Sequence, residues 1–206
     1  MSDREPDETA VDDAEPDDLT DRLAAYDAVV YDLDGTLVEL AVDWEAVASS
    51  VLDVYEDNGI EPPTEELWTL LEAADEYGIR DAVEEAIGLH ERSGARDSTL
   101  LALGDRLIET GNDETHAPPA GVCSLNCEAA CRIAVDTHGL GNAIESDAIV
   151  GRDTVGTHKP EPESLLAAVD RLDATPERAL FVGDSQRDAV AAERAGVDYA
   201  WVSDLV

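Results

Sequence analysis

Lysine is almost missing from this chain. Of its 13 basic residues twelve are arginine and a single one, Lys159, is lysine, against 49 aspartates and glutamates, which leaves a formal net charge of −36 over 206 residues. A surface so poor in positive charge repels phosphate backbones and anionic lipid headgroups, so neither a nucleic acid nor a membrane surface is an expected partner. Long apolar runs are missing too. The longest, such as Ala28–Tyr31 and Ala179–Val182, fall far short of the roughly 20 residues needed to cross a bilayer. Residues Met1 to Ala14 have neither the positive n-region nor the apolar h-region of a secretory leader. A soluble, cytoplasmic protein is the expectation. Cysteine is scarce, and Cys123, Cys127 and Cys131 have no histidine at a tight ligand spacing among them. A spacing of four would bring them together on a helix, but buried thiols in a strand–helix unit are the simpler reading.

What is present suffices for a core, because 44% of the residues are apolar. Acid spread throughout and next to no lysine fit a protein adapted to molar salt, where the Debye length falls to about 3 Å and self-repulsion is screened. The acids crowd into the first residues, so 1–24 is expected to be an acidic, disordered tail with one short helix near Leu19 to Ala25. Short β-rich runs then recur at Ala28-Val-Val-Tyr, Gly121-Val-Cys-Ser, Asp147-Ala-Ile-Val, Ala179-Leu-Phe-Val and Tyr199-Ala-Trp-Val. Helical periodicity lies between them at about 126–138, 161–172 and 186–195. Strands alternating with helices predict an α/β fold with a parallel sheet covered on both faces. Residues 41–115 carry only helical patterns, predicted over Trp44–Asn58, Thr64–Tyr77, Asp81–Arg92 and Asp97–Thr110. Seventy-five residues of helix exceed any crossover, so 41–115 is expected to be an inserted helical cap, with 25–40 and 116–206 forming the sheet domain.

In such sheets ligands bind at the carboxyl ends of the strands. The first run ends Tyr31-Asp32-Leu33-Asp34-Gly35-Thr36. In extended chain Asp32 and Asp34 face one side, and Gly35 lets the backbone turn away. Two carboxylates so close need a cation between them, or one of them stays protonated. The fourth run ends Gly183-Asp184-Ser-Gln-Arg-Asp188, which sets Asp188 one helical turn beyond Asp184. Alone, that pair could be a helix cap and a surface acid. Beside the first pair it completes an oxygen donor set suited to Mg²⁺. Ser124 closes the second run, where a hydroxyl and helix-start amides can hold a phosphoryl oxygen. Lys159, on the loop Gly156-Thr-His-Lys-Pro-Glu-Pro, can neutralise charge developing there.

These four motifs, in this order, resemble the haloacid dehalogenase superfamily, and within it the phosphoglycolate-phosphatase-type branch. The resemblance covers about 28–40 and 118–203, and the helical segment falls where that branch carries its cap. It implies a Rossmann-like doubly wound core, Mg²⁺ as cofactor, and hydrolysis of a small phosphorylated metabolite through an aspartyl-phosphate. By that resemblance Asp32 is the nucleophile and a metal ligand. Asp34 is the general acid–base, with its backbone carbonyl on the metal. Ser124 and Lys159 hold phosphate oxygens, Asp184 ligates the metal, and Asp188 orients metal waters or Lys159. An aspartate at position 34 argues for phosphate chemistry over carbon–halogen cleavage. Asn126 stands one place later than the asparagine that follows the motif-two hydroxyl in many relatives.

Sugar phosphomutases share these motifs, and a non-catalytic acidic binding protein on the same fold is a further alternative. In the cap, Arg80, Arg92, Arg96 and Arg106 are read as surface pairs, Trp44 and Trp68 as helix packing, and His158 as the one histidine beside the site. The physiological substrate and the oligomeric state are not legible.

Overall fold

The computed structural model describes residues 19–111 and 117–206. The acidic stretch up to residue 18, and His116, lie outside the described residues. The elements in chain order are α1 (Leu19–Leu23), β1 (Ala28–Tyr31), β2 (Val38–Glu39), α2 (Trp44–Asp57), α3 (Leu67–Tyr77), α4 (Arg80–Arg96), β3 (Thr99–Leu100), α5 (Ala102–Gly111), β4 (Ala120–Cys123), α6 (Glu128–Thr137), β5 (Ile149–Val150), α7 (Glu163–Arg171), β6 (Ala179–Gly183), α8 (Gln186–Ala195) and β7 (Asp198–Trp201).

Five strands form one sheet in the order β5-β4-β1-β6-β7, with every neighbouring pair parallel. Period-two alternation splits β1 between the two faces. Val29 and Tyr31 point into a cluster with Ala130, Cys131 and Ala134 of α6 and with Leu103 and Leu107 of α5. Ala28 and Val30 point into the opposite cluster, with Leu165 and Val169 of α7 and Ala192 of α8. All of β1, β4 and β6 is buried, as fits parallel strands covered on both sides. The fold is therefore α/β, a Rossmann-like doubly wound sheet with an inserted helical module. No helix among the described residues is long and apolar enough to cross a membrane.

The module has its own core. Val47, Val51 and Tyr55 of α2, Leu70, Leu71 and Ala74 of α3, and Val83 and Ile87 of α4 bury one another. Asp43 starts α2 by accepting from the amides of Glu45 and Ala46, and Gly78 ends α3 in the left-handed region at φ 69°. The chain leaves and re-enters the sheet domain through a two-stranded antiparallel ribbon, β2 with β3.

Two features differ from the sequence expectation. The α5 helix, expected in the cap, contributes Leu103 and Leu107 to the sheet-domain cluster. Its approach needs Gly104, where a Cβ would meet the Leu37 carbonyl oxygen at 2.5 Å. At the other end, Leu19 and Leu23 of α1 are buried in the same cluster, so the short helix inside the expected tail packs on the core.

Candidate active site

The site grows from the carboxyl end of β1, between its neighbours β4 and β6. Asp32 continues the strand by donating its amide to the Val182 carbonyl at 2.8 Å. Gly35 then turns the chain at φ +83°, and a Cβ there would collide with the Asp184 carboxylate. The turn closes through the Gly35 amide to the Val38 carbonyl at 2.8 Å, which brings the Leu40 amide within 2.8 Å of Asp34 Oδ1. Burial pushes the Asp34 carboxyl up to about 6, helped by the charges of Glu39, Asp184 and Glu91 and opposed by the Leu40 hydrogen bond. Burial likewise pushes Asp32 up to about 6, with Lys159 pulling it down and Asp188 pushing it further up.

Lys159 is buried between two carboxylates. Its Nζ lies 2.9 Å from Asp32 Oδ1 and 2.6 Å from Asp188 Oδ1, and 5.4 Å from the Phe181 ring centroid. Burial opposes the ammonium charge, but Asp32 and Asp188 outweigh it and hold the pKa above the ordinary lysine value. Asp188 is fixed by a capping box at the start of α8. Its Oδ2 accepts from the Ser185 amide at 3.0 Å and the Ser185 hydroxyl at 2.6 Å, while Ser185 Oγ accepts from the Asp188 amide. Gly183 makes room, since a Cβ there would meet Asp188 Oδ2 at 2.6 Å. Tyr199 donates its hydroxyl to the Ser185 carbonyl at 3.3 Å and steadies the same turn.

Carboxylate oxygens of Asp32, Asp184 and Asp188 lie within 4.8 Å of one another. Burial, and next the negative charge of Asp188, raise the pKa of Asp184. Three crowded carboxylates form an all-oxygen set that fits a hard divalent cation. Both oxygens of Asp188 already serve Lys159 and Ser185, so Asp32 and Asp184 are the carboxylates free to hold such an ion.

At the end of β4, Ser124 and Asn126 are buried. Ser124 Oγ donates to Asn126 Oδ1 at 3.1 Å and accepts from the Asn126 amide at 3.2 Å. This loop is held from the helical module. Glu91 of α4, fully buried, accepts from the Cys127 amide at 2.9 Å and from Asn126 Nδ2 at 3.4 Å. Arg152 follows β5 and lies against the same carboxylate, with Nη1 2.6 Å from Glu91 Oε1 and 2.6 Å from the Leu125 carbonyl. Its Nη2 reaches Glu84 at 2.8 Å.

These groups open on one cavity of ≈ 370 Å³, whose lining includes Asp32, Asp34, Ser124, Lys159 and Asp184 on the sheet side and Trp44 and Trp68 on the module side. Residues 119–202 match the family model described as haloacid dehalogenase-like hydrolase. A phosphoglycolate phosphatase of Cereibacter sphaeroides is 33% identical over 194 residues, covering 84% of this chain and 83% of that protein. This chain belongs to the haloacid dehalogenase-like hydrolases. Another match is shorter: a phosphoglycolate phosphatase of Rhodospirillum rubrum is 39% identical over 77 residues, 37% of this chain and 31% of that relative's length. Among solved structures, CbbY from Rhodobacter sphaeroides in complex with phosphate shares the fold, at TM-score 0.60, 20% identity and 85% of each chain.

Within this haloacid dehalogenase-like hydrolase, the structure gathers Asp32, Asp34, Ser124, Lys159 and Asp184 around one cavity and puts Asp188 behind Lys159. Arg80 and Arg92 pair with acids of their own module, with Asp75 and Glu84 and with Glu85. Arg96 and Arg106 reach backbone carbonyls. His158 contacts the Lys159 carbonyl and does not line the cavity. The cysteines are free and buried, and burial pushes Cys123 up to about 11 and Cys127 up to about 12, as suits inert packing thiols. Trp44 and Trp68, expected only to pack, pack on each other at 6.1 Å and also line the cavity. Glu91, Arg152 and Arg187 were not singled out by the sequence. Glu91 and Arg152 lie in a helix and a loop with no local motif, and Arg187, inside the run from Asp184 to Asp188, is marked only by its aim into the cavity beside Trp68.

Proposed function

We propose that this chain is a phosphatase acting on a small phosphate monoester through an aspartyl-phosphate on Asp32. One observation supports this above the others: a wholly buried lysine bridges a candidate nucleophile and a helix-capped aspartate at the floor of a cavity that also holds Ser124 and Asp34. The pairing with Lys159 favours the ionised form of Asp32 in a site whose burial opposes it. The ionised carboxylate attacks phosphorus, a new O–P bond forms, and the bond from phosphorus to the leaving alkoxide breaks. Asp34, which burial keeps protonated to higher pH, gives that alkoxide its proton. It then takes a proton from the water that attacks phosphorus, which returns phosphate and free Asp32. Lys159 and Ser124 hold the non-bridging oxygens as their charge grows.

Mg²⁺ fits the oxygen set of Asp32 and Asp184, with the Asp34 carbonyl as a third donor, and when bound it would offset phosphoryl charge. The helical module is read as a cap that closes over the cavity and excludes water. The phosphoglycolate phosphatases among the relatives point to a short phosphorylated acid or a sugar phosphate as substrate. The charge and lysine count support an intracellular setting with molar salt.

The test is phosphate release from an aryl phosphate in molar potassium chloride with Mg²⁺. Turnover that disappears in Asp32→Asn and on chelation is the expected result. A folded protein that releases no phosphate from a broad panel of esters would overturn the reading, and an isomerised ester in place of free phosphate would make the chain a mutase.

A further inference from the structure

Arginine in this protein is nearly always engaged. Among the described residues Arg80, Arg92, Arg132, Arg152, Arg178 and Arg194 meet carboxylates. Arg22, Arg96, Arg106 and Arg171 donate to backbone carbonyls. Arg187 is the exception. Among the described residues it has no hydrogen bond and no ion pair, although 49 acids are available in the chain. Its one recorded contact is aromatic, with the guanidinium 6.0 Å from the centroid of Trp68.

Its position runs against local electrostatics. Arg187 sits in the first turn of α8, where the helix dipole disfavours a cation. It lines the same cavity as Asp32, Asp34 and Lys159. The ring that holds it is itself held: the buried Arg152 lies 5.8 Å from the Trp68 centroid and is tied to Glu84 and Glu91. A stacked guanidinium keeps its in-plane N–H groups free for a planar or tetrahedral anion. The cavity thus has two cationic points. Lys159 is neutralised by Asp32 and Asp188, and Arg187 is not neutralised by any described group.

We propose that Arg187 is the specificity-determining residue of this site, and that it reads a second anionic group, a carboxylate or a second phosphate, on the leaving group of the phosphate ester. This rests on the phosphatase reading for its substrate, but not for its binding. Trp68 presents the guanidinium from the cap side, so the anion is gripped where cap and sheet domain meet. An ester without the second anion leaves Arg187 unsatisfied.

The test has two arms. In the first, kcat/KM is measured for a short phosphorylated hydroxy acid and for an aryl phosphate with no second anion. The ratio of the two is expected to fall about 10- to 100-fold in Arg187→Gln, the loss of a charge-assisted hydrogen bond, and to recover partly in Arg187→Lys. A ratio that stays at the wild-type value in Arg187→Gln overturns the proposal. In the second, calorimetry follows binding of a short phosphonocarboxylate, a diphosphonate and a plain alkylphosphonate, none of which can be hydrolysed. Tighter binding of either doubly anionic probe, lost in Arg187→Gln, upholds the proposal even if no ester is turned over, in which case the phosphatase reading alone fails. Equal binding of all three probes overturns it.

Discussion

Asp34 carries a burial cost that the proposed proton transfer would use. Its carboxyl is pushed up to about 6, so the folded state holds that proton more tightly than the unfolded chain does. Stability contributed by such a group is lost as pH rises from its ordinary value near 4 through about 6. Above that window the ionised form is a standing cost, on the order of 1–2 kcal/mol once the side chain's partial exposure is discounted. Asp34→Asn removes the cost and still accepts from the Leu40 amide. The variant should therefore unfold at higher urea than the wild type at about pH 8, and this advantage should shrink toward pH 5. It should release no phosphate. Urea midpoints at the two pH values, in chelator and constant salt, check the sign, and a variant less stable at pH 8 would contradict it. Asp32 and Asp34 were legible in the sequence because a strand alternates its faces every residue and the glycine after them forces the turn. Arg187, Trp44 and Trp68 were not, because their aim into the cavity is set by how two separately folded parts meet.

At the scale of elements, the link between α4 and the loop after β4 carries the most consequence. Glu91 projects from the cap helix into the sheet domain and takes the Cys127 amide, while Arg152 closes over it and over the Leu125 carbonyl. A cap residue thus helps set the loop that carries Ser124. Arg152→Met leaves the fully buried Glu91 without its charge partner, at a cost of about 3–5 kcal/mol. Phosphate affinity should also weaken, since the Ser124 loop loses its brace. Denaturant unfolding with inorganic phosphate titration reads both, and unchanged stability would show that the pair is not a structural link. The strands, α6, α7 and α8 were readable from short β-rich runs and helical period. The β2–β3 ribbon was not, since two residues a side are too few for any period. That α5, expected in the cap, turns Leu103 and Leu107 to the sheet-domain cluster was not readable either, because periodicity identifies a buried face but not which core receives it.

Over the whole molecule, 36 uncompensated negative charges repel one another, and a single lysine offers almost nothing in return. Three acids, Asp32, Asp184 and Asp188, are crowded at the site, and Lys159 pairs with two of them. Self-repulsion then falls to dissolved salt to screen. The melting temperature should rise steadily with potassium chloride up to molar concentrations, whereas a flat profile would argue against adaptation to high salt. Composition carries the expectation of salt adaptation and the motifs carry that of the chemistry, and the two are independent.

The central claim is that phosphate passes through Asp32. It is tested most directly by mixing the protein with excess phosphate ester and Mg²⁺ in molar salt, quenching in acid, and reducing with borohydride. Reduction converts an aspartyl-phosphate into homoserine, which peptide mass spectrometry locates. The account predicts homoserine at position 32 and nowhere else, and none when the ester is left out. Phosphate release at full rate with Asp32 unmodified in every quenched sample would contradict it.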